Sequence, residues 1–243
     1  MSVAVTPTAD RSPYRGYRFR PEIIAHAVWL YFRFHLSFGD VQDLLAERGI
    51  IVSHESIRQW CAKFGAAFAA GLHRRRGRAG DKWHLDEVLL KIRGKKHWLW
   101  RAVDQDGIVL DILAQDRRDQ LAAERFLRQV LDGEDGTEAR VVITDKLASY
   151  PPAIRRVLPH TEHRRHKRLN NRAENSHLPT RKRERVLQRF KSAEHAQRFL
   201  GPFSAVRNHF RPRRHRLTAS TYRQIRRERH IVWQDVTLGR VRP

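Results

Sequence analysis

Apolar residues recur at helical spacing from Pro21 onward. In PEIIAHAVWLYFRF, Ile24, Ala27, Val28 and Phe32 fall on one stripe, with Pro21 acceptable in a first turn. SFGDVQDLLAERG predicts a second helix, with Ser37 as N-cap, Asp40 three residues later and Gly49 placed to end it. After IIV, SHESIRQWCAKFGAAFAAGLH opens on Ser53 as another N-cap and sends Ile57, Trp60 and Phe64 inward. Residues 1–20 lack periodicity and hold Pro7, Pro13 and Gly16, which predicts a mobile arm. HRRRGRAGDK supplies a basic, glycine-containing linker, so a domain boundary is expected at 73–81.

Beyond the linker the pattern changes. KWHLDEVLLKI, KHWLWRAVD and GIVLDILAQ read as three strands, turned by Gly94 with Lys95 and Lys96, and by Asp106-Gly107. RRDQLAAERFLRQVL is an amphipathic helix and ARVVIT a short buried strand. KLASYPPAIRRVL is a helix interrupted at Pro151-Pro152, and His163 to His166 a brief strand. KSAEHAQRFLGPFSAVRNHF is helical but broken at Gly201-Pro202, with Phe199, Phe203 and Phe210 as packing residues. This order predicts an α/β domain over 82–215, a mixed sheet with helices on both faces, preceded by an all-α module over 21–72. A basic tail follows over 216–243.

Composition narrows the class. With 40% hydrophobic residues, six Trp and eleven Phe the chain reads as globular. No apolar run approaches the roughly 18–20 residues of a membrane span. The N-terminus lacks a charged-then-apolar signal pattern, so a cytoplasmic, nucleoid-associated bacterial protein is expected. The single cysteine, Cys61, excludes an internal disulfide and a multi-cysteine zinc site. Lys plus Arg against Asp plus Glu runs 12 to 6 over residues 1–80, 14 to 14 over 81–160 and 23 to 6 over 161–243. A charge-balanced centre between basic ends suits a phosphate backbone, since each neutralised phosphate releases counterions. The second and third helices form a candidate helix-turn-helix whose third helix exposes His54, Glu55, Arg58, Gln59 and Lys63. A packed helical hairpin fits that spacing almost as well.

Three carboxylates stand at suggestive places. Asp86 lies inside the first strand, Asp145 follows the buried strand VIT, and Glu174 sits in the basic run HKRLNNRAENSH. Hard divalent cations take such oxygen ligands, although many triples could be drawn among the acids of the centre. Glu87 would point to the opposite strand face and is read as structural or a substrate contact. Asp104, Asp106 and Asp119 read as solvated turn or cap groups. His84 and His177 flank two of the acids, yet no HExxH or cysteine-histidine spacing supports zinc.

The ordered set HLDE, RAVDQDG, RRD, VITDKLASY, EHR, HKRLNNRAENSH, RKRER and RFKS resembles the DDE transposases of the IS6-type (IS26-like) insertion sequences. The resemblance runs from the helix-turn-helix to about residue 220. It implies a ribonuclease H-like core with Asp86, Asp145 and Glu174 as metal-binding triad. Mg2+ is the implied cation, with Mn2+ able to substitute. It also implies a basic residue seven positions after the glutamate, here Arg181, which together with Lys146 and Arg172 would bind DNA phosphates. Arg58, Gln59 and Lys63 would contact DNA from the helix-turn-helix. The implied activity is binding of terminal inverted repeats in double-stranded DNA, then cleavage and strand transfer into target DNA by a homodimer or larger assembly. A nuclease that does not join ends, and a transposase-derived DNA-binding regulator, are the alternatives. Two departures stand out: 28 residues separate Asp145 from Glu174, a short spacing, and Pro179 lies between Glu174 and Arg181. Such a proline removes a helical hydrogen bond and would bend or break a shared face.

Overall fold

The computed structural model describes residues 12–166, 170, 173, 176–187, 190–212 and 217–239. Three helices open the chain: α1 (Pro21–Arg33), α2 (Phe38–Ala46) and α3 (His54–Arg74). Local chemistry sets their ends. Ser37 and Asp40 form a reciprocal capping box at α2, with Ser37 N–H to Asp40 Oδ2 at 2.7 Å and Asp40 N–H to Ser37 Oγ at 3.0 Å. A cap of this kind contributes about 1 kcal/mol. Gly49 then takes φ +73°, closing α2 as its position predicts. Gln42 Oε1 accepts the His54 N–H at 2.7 Å, which fixes α2 against the start of α3.

The sheet follows as β1 (Lys82–Ile92), β2 (Lys95–Asp104), β3 (Val109–Gln115), β4 (Val141–Thr144) and β5 (Glu162–Arg165). Its spatial order is β3-β2-β1-β4-β5; β1 to β3 form an antiparallel meander, while β4 runs parallel to β1 and β5 parallel to β4. Between the strands lie α4 (Gln120–Gly133) and α5 (Tyr150–Val157), and after them α6 (Leu178–Val186), α7 (Ala193–Phe210) and α8 (Ala219–Leu238). This is the expected ribonuclease H-like mixed sheet with helices on both faces.

Two cores cover the two faces. Trp83, Leu85, Trp100 and Val142 pack against Phe126 and Leu127 of α4 and Tyr150 and Ile154 of α5. Leu90, Ile92, Leu99 and Ile112 face the other way, into a cluster shared with α1, α3, α7 and Trp233 of α8. The N-terminal helices therefore share an apolar core with the sheet. Phe199, Phe203 and Phe210 lie in that core, as their spacing suggests.

Several local expectations change. Pro151 and Pro152 start α5 rather than interrupt it, because a first-turn proline gives up an N–H that has no helical partner. Helix α7 runs through Pro202, which is buried; its ring would lie 3.5 Å from a Cβ added at Gly65, so the helix-breaker is packed against α3. Residues 12–20 of the predicted arm are anchored: Tyr14 is buried, its ring 5.0 Å from that of Phe64 and its hydroxyl donating to Thr237 O at 2.6 Å. The stretch expected as a basic tail carries the 20-residue helix α8, anchored by Trp233. Asp104 is buried, not solvated, and organises its turn by accepting the Gly80, Asp106 and Ile108 N–H groups. Asp119, as expected, is a cap, accepting the Ala122 N–H at the start of α4.

Edge strand β3 is closed by side chains. Asn208 of α7 accepts the Val109 N–H at 3.1 Å and donates to Val109 O at 2.8 Å. One helical stretch earlier, Gln197 accepts from Ala114 N–H at 2.9 Å and donates to Ile112 O at 2.8 Å. Two amides thus substitute for a neighbouring strand.

Candidate active site

Asp86 lies mid-way along β1, and the register of its neighbours sets its surroundings. On the antiparallel side its Cα partner is Arg101. On the parallel side the last paired residues are His84 and Ile143, so the register continued by two residues sets Asp145 opposite Asp86. Adjacent strands are about 4.8 Å apart, which brings the two acids side by side at the carboxyl end of β4, in the middle of the sheet. Asp145 Oδ1 accepts the Leu147 N–H at 2.9 Å, a local turn that fixes the chain as it leaves β4.

Glu87 points to the opposite face, as strand alternation requires. Its side chain is fully buried, accepting from the Tyr150 hydroxyl at 2.7 Å and from Arg118 Nε at 2.8 Å. Burial pushes the Glu87 carboxyl up, opposed by those two donors, and pushes the Tyr150 phenol up as well. Arg118 also lies over the Trp98 ring, 4.5 Å from its centre. The network ties the residue after Asp86 to the first residue of α5, five positions after Asp145.

Described residues on either side of Glu174 are tied to the strands. Asn170 Nδ2 donates to Leu85 O at 2.7 Å, next to Asp86. Arg101, buried to 2% exposure, reaches from β2 to the other end of the segment and donates to Ser176 O and to Thr180 Oγ1. His177 between those acceptors brings Nε2 to 3.3 Å from Asp86 Oδ2, a close approach short of an aligned hydrogen bond. Burial holds His177 below the ordinary imidazole range against the pull of Asp86, and pushes the Arg101 guanidinium down to about 9. Arg101 therefore stays a cation at neutral pH.

Glu174 and Arg172 lie outside the described residues. Ala173 and Ser176 are helical, His177 is a turn and α6 starts at Leu178. The break falls at His177, and Pro179 sits in the first turn of the new helix, where its missing N–H costs little. Arg181 is exposed in that turn, its N–H bonded to His177 O at 2.9 Å. Lys146 is exposed, with its carbonyl accepting from Arg165 Nη2 at 3.1 Å.

On α3, Arg58 and Gln59 are exposed but both engage Glu55, Arg58 Nε at 2.7 Å and Gln59 Nε2 at 3.1 Å. Lys63 places its ammonium 5.0 Å from the centre of the Tyr17 ring. Within α6, Arg183 is buried, stacked 4.3 Å over the Tyr31 ring, and donates to Tyr31 O at 3.2 Å and to Leu36 O. It joins α6 to the connection between α1 and α2.

The donor set fits a hard divalent cation. Asp86 keeps part of its carboxylate accessible, at 16% side-chain exposure, and Asp145 is likewise partly accessible. Among the described residues no group of three His, Cys, Asp or Glu side chains converges, and Glu174, the third carboxylate of the expected triad, lies outside them.

A family model described as a DDE domain matches residues 80–213, the span that contains the sheet and these acids. The chain belongs to the IS6-type DDE transposase family. The transposase for the insertion sequence-like element IS431mec of Staphylococcus aureus is 31% identical over 169 residues, covering 68% of this chain and 75% of that relative. The transposase of IS257 in transposon Tn4003, also from Staphylococcus aureus, is 30% identical over the same length. A chain from the simian T-cell lymphotropic virus intasome in complex with PP2A regulatory subunit B56 gamma overlaps loosely, at TM-score 0.42 and 15% identity over 73% of this chain and 67% of its own. As a DNA transposase, the protein acts on a polyanion, in keeping with its net charge of +23. Among the described residues no helix is long and apolar enough to cross a membrane.

Sequence reasoning missed Arg101, Asn170, Arg118 and Tyr150 as parts of the site. The one signal available was a cation, Arg101, at an inward position between Leu99 and Val103.

Proposed function

We propose that this transposase binds the terminal inverted repeats of its own insertion sequence and there performs cleavage and strand transfer, with Asp86, Asp145 and Glu174 as metal-binding carboxylates. The observation that carries the reading is the β1–β4 register, which, continued two residues past its last pair, sets Asp86 and Asp145 side by side at the carboxyl end of β4. A pair of Mg2+ ions, replaceable by Mn2+, would be held by these carboxylates and would supply the charge that stabilises the attacking and the leaving oxygen of in-line displacement at phosphorus. Arg181, Lys146 and Arg172 hold phosphates against those carboxylates. Helices α2 and α3 act as a helix-turn-helix, with Arg58 and Gln59 exchanging Glu55 for DNA and Lys63 leaving the Tyr17 ring. No protein nucleophile is required; Cys61 is buried and its thiol pushed up by burial. Two element ends are joined in one event, so the working form is at least a dimer on DNA.

The test is incubation of purified protein with its end DNA, a target plasmid and Mg2+. Joined end–target products are expected, and Asp145→Asn and Glu174→Gln abolish them while retaining a gel shift. Nicks without joined products identify a nuclease instead, and full activity of either variant removes the triad assignment.

A further inference from the structure

We propose that His177 is a positioning residue that orients the Asp86 carboxylate for its cation, and that Arg101 holds His177 in place. The inference rests on the reading of Asp86 as a metal-binding carboxylate. Asp86 and Arg101 are Cα partners across β1 and β2. A guanidinium beside a carboxylate ordinarily closes a bidentate pair, which here would occupy both Asp86 oxygens. Arg101 instead turns to the start of α6 and donates to Ser176 O and Thr180 Oγ1. Those two acceptors straddle His177, whose ring is delivered to the carboxylate, Nε2 to Oδ2 at 3.3 Å.

The second observation is burial. His177 is 3% exposed, and neither ring nitrogen has a hydrogen-bond partner among the described residues. Leaving a buried donor unmade is costly, so an imidazole with this surrounding is explained by the group it faces. With the proton on Nε2 it donates to Asp86 Oδ2 as the carboxylate settles, and Oδ1 remains open to a cation. Asn170, donating to Leu85 O at 2.7 Å, anchors the other end of the same segment. The outcome is a carboxylate with one oxygen oriented by protein and one directed outward, and groups in this orienting role change metal affinity by about 10–100-fold.

The experiment measures Mn2+ binding by electron paramagnetic resonance on the full chain without DNA, alongside thermal melting and a gel shift on end DNA. His177→Phe keeps a ring of similar size without a donor; His177→Gln keeps an N–H donor of similar reach. The Phe variant and Arg101→Lys are expected to weaken Mn2+ binding about tenfold or more, and the Gln variant by less than about threefold. All three are expected to retain the wild-type gel shift. Equal Mn2+ binding by the Phe and Gln variants overturns the role of His177, and wild-type binding by Arg101→Lys overturns that of Arg101. Asp86→Asn separates the two levels. If it binds Mn2+ like the wild type, the metal reading of Asp86 fails; if it alone loses binding, this inference fails and that reading stands.

Discussion

The Tyr150 hydroxyl donates to the Glu87 carboxylate at 2.7 Å, on the sheet face opposite Asp86. Because Glu87 follows Asp86 and Tyr150 opens the helix after Asp145, one buried bond sets the two acid-bearing segments against each other. Tyr150→Phe keeps the ring against Trp100 but leaves a buried carboxylate short of a donor. The expected cost is about 2 kcal/mol in urea denaturation, with a slower DNA cleavage rate at saturating DNA. An unchanged denaturation midpoint and rate contradict this role.

Buried Arg183 links the helix after the acid-bearing segment to the connection between α1 and α2. It stacks on Tyr31 and lies 5.2 Å from the centre of the Phe199 ring while donating to two backbone carbonyls. Arg183→Ala removes that packing and leaves both carbonyls without a partner, so a loss on the order of 3 kcal/mol is expected. Arg183→Lys recovers part of it, since an ammonium lacks the planar fork. Equilibrium unfolding of both variants checks this; a loss within about 0.5 kcal/mol, the usual range for surface substitutions, contradicts it.

The β3 edge is closed by Asn208 and Gln197. The double variant Asn208→Ala, Gln197→Ala exposes the Val109, Ile112 and Ala114 backbone groups, a template for pairing with another chain. Concentration-dependent self-association is expected in sedimentation experiments without DNA, beyond that of the wild type. Identical sedimentation of variant and wild type contradicts the edge-protection role.

Acidification destabilises the fold through its histidines. Burial, then the nearby Arg207, Lys182, Arg183 and Arg33 cations, push His35 from 6.5 to about 4. His26, His209 and His230 are also lowered, burial first. A histidine held neutral in the fold takes up a proton on unfolding. Its contribution is therefore whole above pH 6.5 and is lost as pH falls through 6.5 toward about 4. Urea midpoints at pH 7.5 and 5 are expected to fall with acidity, and His35→Gln to make the fall shallower. An unchanged slope in the variant contradicts the assignment.

What the sequence made legible was local chemistry. The capping box at Ser37, the turns at Gly94 and Gly107, and the alternation that set Asp86 and Glu87 on opposite faces all follow from neighbours within a few residues. Pro151 and Pro202 misled because a proline's effect depends on its place in the helix, first turn for Pro151 and a packed interior site for Pro202, whereas the break expected near Pro179 does fall at His177. Arg101 and Arg183 were not legible as anchors. Their acceptors are mostly backbone carbonyls or a hydroxyl 75 to 152 positions away, which leave no pattern of paired charges in the chain. The DDE assignment came from the joint order of short motifs, with the register of β1 and β4 giving it a geometric basis.

Asp86, Asp145 and Glu174 are proposed to share one cation site. Fe2+ substituted for Mg2+, with hydrogen peroxide and ascorbate added, generates hydroxyl radicals that cut the polypeptide near the bound ion, and the fragment ends report where it sits. Three clusters of cuts are expected, around residues 86, 145 and 170–177, all lost in Asp86→Asn. Cuts confined elsewhere, or unchanged cuts in that variant, contradict it.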